Sequence, residues 1–216
     1  MNIEIWSDIA CPFCYIGRRH LELALEKLPF GPEVRVQWRS FQLDPQASPA
    51  GEQRAVEMLA AKYGMSAEQA AASQAQVSAQ AREVGLEMRE DGGYVTNTLD
   101  AHRLLHLASE HGLQDELKGA LFAAHFGQGS NVGDHEVLAD LAAEVGLPQD
   151  AVSELLSGDR FRNDVANDQQ QARDYGVQGV PFFVVDRKYG LSGAQPVETF
   201  ENALTQAWEE RQAADG

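Results

Sequence analysis

The chain holds two cysteines, and both fall in the stretch Ser7-Asp8-Ile9-Ala10-Cys11-Pro12-Phe13-Cys14-Tyr15-Ile16-Gly17. A C-x-x-C pair can cycle between dithiol and disulfide, supply part of a tetrahedral zinc site, or fill two buried positions on one helical face. Zinc needs four ligands; no second C-x-x-C exists, and His20 as the nearest imidazole leaves the set incomplete, so no metal is expected. At 216 residues the chain can bury a full core without staples, so stability does not account for the pair either. If a helix starts at the motif, Cys11 meets unpaired backbone N–H groups and the positive end of the helix dipole, which favour a thiolate. Pro12 suits a first turn, because the N–H it lacks has no helical partner there. Cys14, three positions on, faces the same side, so the outer Cys11 would attack and the inner Cys14 would resolve. An ordinary thiol of pKa ~8.5 is only about 3% thiolate at pH 7, whereas a pKa of about 7 makes roughly half of it reactive. Phe13 brings neither charge nor side-chain hydrogen bond to sulfur, so moderate rather than extreme acidity is expected at Cys11.

A second informative stretch is Gly176-Val177-Gln178-Gly179-Val180-Pro181-Phe182-Phe183-Val184. A proline directly ahead of an apolar strand suits that strand's first residue. The base rate for X–Pro bonds favours a trans strand start; a cis Val180–Pro181 bond would instead set a backbone edge beside the cysteines, where Val180 N–H and C=O could pair with an extended substrate. Other candidates carry less. His102 and His106 stand four apart with Glu110 following, but a third and fourth metal ligand are missing, and a polar helix face with capping near Gly112 is the plainer reading. His125 and His135 have no evident partner, Asp100 reads as a helix-start carboxylate, and Arg18 and Arg19 could raise the potential near Cys11 or point to solvent.

The elements that must position these residues begin with a short strand around Ile3 and Ile5. A helix follows from about Cys14 to Leu28 on the spacing of Leu21, Leu25 and Leu28, ended by Pro29, Gly31 and Pro32. Val34, Val36 and Trp38 alternate with Arg35, Gln37 and Arg39, a half-buried strand, so strand, helix and strand form a parallel crossover unit. From Glu52 to about Leu156 only helical signals occur, giving five or six helices punctuated by Gly64 with Ser66 and Gln69, Gly85, Asn97 with Asp100, Gly112, Gly127 and Gly129, Asp134, and Gly146 before Pro148. The Ala/Gln/Ser run from Ala67 to Ala81 reads as a helix with an apolar stripe of Ala70, Ala71, Val77, Ala81 and Val84. After Gly158 come a helix carrying Phe161, Val165 and Ala172, a strand at Phe182–Val185, a returning strand at Tyr189–Gly193, and a closing helix with Phe200, Leu204 and Trp208. The expected class is α/β: a thioredoxin-like fold with a large all-helical insertion, the first part spanning 1–45, the insertion 46–158 and the second part 159–216.

Lys+Arg 17 against Asp+Glu 33 gives a formal net charge of -16, a field that repels phosphate backbones and anionic lipid, so neither nucleic acid nor membrane is an expected partner. The N-terminal residues lack a basic n-region and an apolar h-region, and no window reaches the roughly 18 apolar residues of a membrane span, so a cytoplasmic location is expected. In a reducing compartment a C-x-x-C pair reads as catalytic or metal-binding sooner than as a structural disulfide.

Three stretches together resemble the DsbA-like branch of the thioredoxin superfamily, most closely the cytoplasmic FrnE-type oxidoreductases. They are Ser7-Asp8-x-x-Cys11-Pro12-x-Cys14-Tyr15-x-Gly17, Asn97-Thr98-x-x-Ala101-His102-Arg103-Leu104, and Gly176-Val177-x-Gly179-Val180-Pro181-x-Phe183 followed by Leu191-Ser192-Gly193-Ala194-Gln195. The resemblance implies that Cys11 is the nucleophile, Cys14 the resolving thiol and Pro181 a cis proline in a substrate-binding loop shared with Pro12, Phe13 and Val180. It implies protein or small-molecule disulfides and thiols as partners, no cofactor beyond the Cys11–Cys14 dithiol, glutathione as a candidate co-substrate, and a monomer or homodimer. Two departures matter. Many thioredoxin-fold enzymes carry an acid where Ile5 stands, which leaves proton handling at Cys14 to water, Asp8 or backbone, and Phe13 replaces the histidine usual in periplasmic members. A sister group, the kappa-class glutathione transferases and 2-hydroxychromene-2-carboxylate isomerases, shares the Asn97 to Leu104 resemblance but generally has serine in place of the first cysteine. The alternative expectation is therefore a glutathione-dependent transferase or isomerase.

Overall fold

A computed structural model describes residues 1–215. Strand β1 (Asn2–Ser7) is buried at every position but the first, because it is central: the sheet order is β2-β1-β3-β4, with β2 (Arg35–Ser40), β3 (Phe182–Val185) and β4 (Tyr189–Ser192). β1 runs parallel to β2 and antiparallel to β3, so Ile5 stands between Trp38 and Phe183 and Ile3 between Val36 and Val185. This odd-numbered face packs on α1 (Pro12–Lys27) and α9 (Val197–Asp215) through Leu21, Ala24, Phe200, Leu204 and Ala207. The even face meets α8 (Arg162–Asp174): Trp6 packs with Ala172 and Val177, and its indole N–H donates to the Asp168 carbonyl at 2.8 Å. Glu4 on the same face is buried but paired, accepting from Arg39 at 3.0 Å and from Arg187 at 3.1 Å, which is how a central strand tolerates a carboxylate.

Between β2 and α8 lie α2 (Ala55–Tyr63), α3 (Ala67–Glu83), α4 (Leu99–Glu110), α5 (Gln114–Phe122), α6 (His135–Glu144) and α7 (Gln149–Ser157). The result is a thioredoxin-like α/β fold with a helical insertion, nine α-helices in all among the described residues. α5 runs into a π-helical segment, Ala123–Gln128, which ends at Gly129 with φ 74°. Helices α4 to α7 share one core, Leu104, Leu107, Leu117, Leu121, Leu138 and Leu155 among its members, and Ile9 from the β1–α1 loop inserts into it. That one side chain ties the loop carrying the cysteines to the helical block.

Several local expectations are corrected. α1 starts at Pro12 rather than near Cys14, with Cys11 as its extended N-cap, because proline's fixed φ suits the first helical position. The Ser66–Gln69 capping box and Asp134 cap are present as the residue types suggest, but the α3 stripe is Ala70, Gln74, Ser78 and Ala81, not the wholly apolar set expected. Ser78 can be buried because its hydroxyl donates to the Arg89 carbonyl at 2.9 Å. Phe161 is the left-handed N-cap of α8, outside the helix, and the β3–β4 hairpin turns on Asp186 and Arg187, whose positive φ values match a type I′ geometry.

Candidate active site

The site is built where three elements meet. Cys11 is the N-cap of α1, so the first helical N–H groups lie next to its sulfur, and Cys14 N donates to the Cys11 carbonyl at 3.0 Å. Both thiols are free; Cys11 is 4% exposed and Cys14 fully buried, whereas Phe13 between them is 44% exposed. The Val180–Pro181 peptide is cis, and the Cys11 thiol donates to the Val180 carbonyl at 3.4 Å. The Pro181 carbonyl in turn accepts from Gly193 N at 2.8 Å, which pins the loop to the end of β4. Gly17 on α1 lets the two approach closely: a Cβ would stand 3.1 Å from the Pro181 ring, which would have to shift by a few tenths of an ångström. Pro12, Phe13, Val180 and Cys11 thus line one opening, and Cys14 lies behind it.

That opening is a cavity of about 500 Å³ roofed by the helical block. Met58, Leu59, Lys62 and Tyr63 of α2, with Leu43, Tyr94, His125 and Phe126, face the motif across it. Among the described residues, four of the five large apolar side chains that remain exposed (Phe13, Leu43, Tyr63 and Tyr94) sit on its lining. Exposed apolar surface concentrated in one cleft marks a binding site sooner than scattered surface residues do. Nothing in the Ala-rich composition of α2 pointed to this role.

Behind the cysteines is a buried polar cluster that meets the cleft at Asp8. Asp8 is fully buried and accepts from Leu43 N at 2.7 Å, from Ala10 N at 3.4 Å and from the His102 ring at 3.3 Å. Burial pushes its carboxyl up, but the His102 hydrogen bond and charge and the Leu43 N–H outweigh this and hold it below the usual range. His102 is therefore not on a solvated polar face as its spacing suggests; it is buried, and burial pushes its imidazole down against the pull of Asp8. His106 likewise pairs inward, 3.2 Å from the Asp168 carboxylate that also accepts from Ser40 N. Among the described residues no group of three side chains is placed to hold a metal ion. Lys118 of α5 is fully buried with no hydrogen-bond partner for Nζ, and burial lowers it to about 8.

The resemblance stretch Asn97 to Leu104 is structural glue for this arrangement. The Asn97 amide donates to the Pro45 and Ala47 carbonyls at 3.0 and 3.1 Å, His102 reaches Asp8, and buried Arg103 donates to the Leu155, Gly158 and Arg160 carbonyls. Asp100 pairs with Arg103 and with His135, which gives His135 the partner its sequence setting did not reveal. Arg18 is committed to Asp115 and Glu22 and Arg19 to Glu22 and Glu26, so neither guanidinium is free to serve Cys11.

The expected acidity of Cys11 is not what the dithiol geometry gives. Its hydrogen bond to Cys14, burial and the neighbouring charge of Cys14 push the Cys11 thiol well above the usual thiol range, and the Cys14 backbone N–H opposes this only in part.

Residues 2–205 match the DSBA-like thioredoxin domain. A probable DsbA oxidoreductase from Streptomyces coelicolor superimposes with a TM-score of 0.92 at 45% identity, over 97% of this chain and 91% of that one. The uncharacterized protein YwbO of Bacillus subtilis (strain 168) is 28% identical over 95% of this chain and 96% of its own length. The cytosolic disulfide reductase DsbM from Pseudomonas aeruginosa, solved with glutathione, shares the fold with a TM-score of 0.66 at 18% identity, over 97% and 100% of the two chains. By the match over nearly its whole length, this chain belongs to the DsbA-like thioredoxin domain family.

Proposed function

We propose that the protein is a thiol–disulfide oxidoreductase working through the Cys11–Cys14 pair. Cys11 as thiolate attacks a substrate disulfide, one substrate thiolate leaves, and a mixed disulfide forms on Cys11. Cys14 then attacks the Cys11 sulfur, the second substrate thiolate leaves, and Cys11–S–S–Cys14 remains. The run is reversible, and its direction follows the potential of the pair against that of its partners. The observation that carries the reading is the Cys11 sulfur, placed at a helix N-terminus, 3.4 Å from the Val180 carbonyl and on the floor of the cleft. Val180 C=O is held by the Cys11 thiol in the resting dithiol; once that sulfur bonds to substrate, the carbonyl is released to pair with the substrate backbone. The dithiol also favours this reading over a transferase or isomerase of the kappa type, which needs only one group beside a glutathione sulfur.

The cleft supports a substrate class: a disulfide carried next to an apolar or aromatic side chain. Lys62 is the one lysine or arginine on its lining, and His125 there is lowered to about 4 by burial and so is neutral near pH 7. Glutathione, with two carboxylates, finds little to bind beyond Lys62. The test is turnover of a peptide disulfide flanked by aromatic residues, with oxidised glutathione in parallel. The wild type is expected to reduce the peptide in the presence of a dithiol and to prefer it, and Cys11→Ser to lose at least ~1000-fold in rate, in line with loss of a covalent nucleophile. Equal rates for Cys11→Ser and wild type would refute the reading. Alkylation of Cys11 in the reduced protein is also expected to keep accelerating above pH 8.5, following its raised thiol; a plateau reached by pH 7 would restore the acidic cysteine that the helix end alone suggests.

A further inference from the structure

Lys118 is the one buried cation of the molecule whose nitrogen has no hydrogen-bond partner among the described residues, and nothing in the two-step exchange uses it. Its side chain is fully buried, with Nζ 4.8 Å from the Phe122 ring centre and 5.3 Å from that of Trp38. Phe122 belongs to the same packed cluster as Cys11 and Cys14, so the amine hangs in an apolar wall immediately behind the motif. A buried ammonium normally recruits a carboxylate or carbonyl; here the negative groups that favour its charged form include Cys14, Asp8, Cys11 and Asp115. Asp8 is already engaged by His102 and two backbone N–H groups, and Asp115, on the same helix, by Arg18 and the Trp38 indole. The repelling groups are Arg18 on α1 and His102 on α4. The position that an acid holds in many relatives is Ile5, so no carboxylate from β1 serves Cys14.

We propose that Lys118 is the proton acceptor for Cys14 in the resolving step, an inference that rests on the exchange reading above. The neutral amine takes the proton of the Cys14 thiol as that sulfur attacks Cys11. The bond between Cys11 and the substrate sulfur breaks, the Cys11–Cys14 bond forms, the substrate leaves as thiolate, and Lys118 is left as ammonium. In this step the Cys14 sulfur is oxidised and the substrate sulfur reduced, while Cys11 stays at the disulfide level. In the reverse run an incoming thiolate opens the disulfide at Cys11, and the ammonium returns its proton to the departing Cys14 sulfur. A lysine depressed to about 8 is neutral in roughly a tenth of molecules at pH 7, enough to act and still able to return the proton.

The probe is DTNB, an aromatic disulfide that releases one coloured thiolate when Cys11 attacks and a second when Cys14 resolves. In Lys118→Met the first release is expected to stay within about threefold of wild type, while the second slows at least ~10-fold at pH 7 and recovers by about pH 10, where hydroxide removes the Cys14 proton. Lys118→Arg keeps the charge but cannot give up a proton, so it should be as slow as Lys118→Met. An unchanged second release in Lys118→Met, or full recovery in Lys118→Arg, overturns the proposal. Absence of even the first release in wild type overturns the exchange reading itself. In the unmutated protein, NMR titration of the Lys118 side chain supplies a measure independent of folding of the variants. A midpoint near 8 that falls in Cys14→Ala supports the assignment, and an ordinary midpoint near ~10.4, or one indifferent to Cys14, refutes it.

Discussion

On one side of the cysteine pair lies an open, largely apolar cleft; on the other lie the fully buried His102 and Lys118, with Asp8 linking His102 to the cleft's lining. Phe13 is 44% exposed toward the first, while Cys14 is fully buried against the second. The two sulfurs are three residues apart on one helix, so the difference between them is made by what packs on each side. α2 and the Val180–Pro181 loop face Cys11, and α4 and α5 stand behind the β1–α1 loop and Cys14. A single thiol needs access to substrate. A resolving thiol needs a place for its proton, away from water, and these demands conflict in one environment. The helical insertion answers both, forming the roof of the cleft with one helix and the wall of the buried cluster with two others.

That division can be broken from the buried side first, where the largest effects are expected. Asp8→Ala leaves buried His102 unpaired and removes the acceptor for Leu43 N and Ala10 N, so unfolding by urea should show a loss of about 3–5 kcal/mol. A loss below about 1 kcal/mol would mean that the cluster opens to water. The next effect is a pH dependence that belongs to the cleft lining, where His125 faces the motif. His125 is held at about 4 in the folded state against an ordinary 6.5, so the unfolded chain binds the proton first as pH falls. Stability from this group is complete above pH 6.5 and is lost between 6.5 and 4, by up to ~3 kcal/mol. His125→Gln should flatten that part of the stability curve, and an unaltered slope would count against a buried neutral imidazole.

Substrate contact in the cleft should respond more mildly. Leu59→Asp in the cleft roof puts a charge opposite the motif and should raise KM for an aromatic-flanked peptide disulfide about 10-fold, leaving the rate with the small uncharged 2-hydroxyethyl disulfide nearly unchanged. Equal loss for both probes would show damage to the motif rather than to substrate contact. The smallest effect belongs to Phe13→His. A partly exposed histidine beside the sulfurs favours the dithiol form modestly and should raise the reduction potential by ~30 mV, measured by equilibration with a glutathione buffer. A shift beyond about 100 mV would make Phe13 a stronger determinant than its exposure allows.

The motif floor of the cleft was legible, and its α2 roof was not. Ile3 and Ile5, the alternation through Trp38, and the apolar run at Phe182–Val185 announce the sheet because buried strands must be apolar on the face they bury. Cys11 and Cys14 announce the motif by their spacing, whereas Pro181 entered only through the resemblance, since a proline ahead of a strand reads by itself as a trans start. The buried side was hidden for a physical reason: whether His102 or Lys118 is buried depends on how α4 and α5 settle against a loop far away in sequence. A trace was present. Lys118 falls between Leu117 and Leu121 and four before Phe122, on an apolar stripe where a surface lysine has no place. The raised Cys11 thiol was hidden for the same reason, because its burial and the packing of Cys14 against it follow from the fold and not from the helix end alone.

If Cys11 meets substrate and Cys14 does not, incubating Cys14→Ala with an aromatic-flanked peptide disulfide and mapping the product by mass spectrometry should reveal one stable mixed disulfide on Cys11, released by a dithiol. A folded Cys14→Ala protein that forms no adduct, or a Cys11→Ser protein that forms one on Cys14 at a comparable rate, would contradict that assignment.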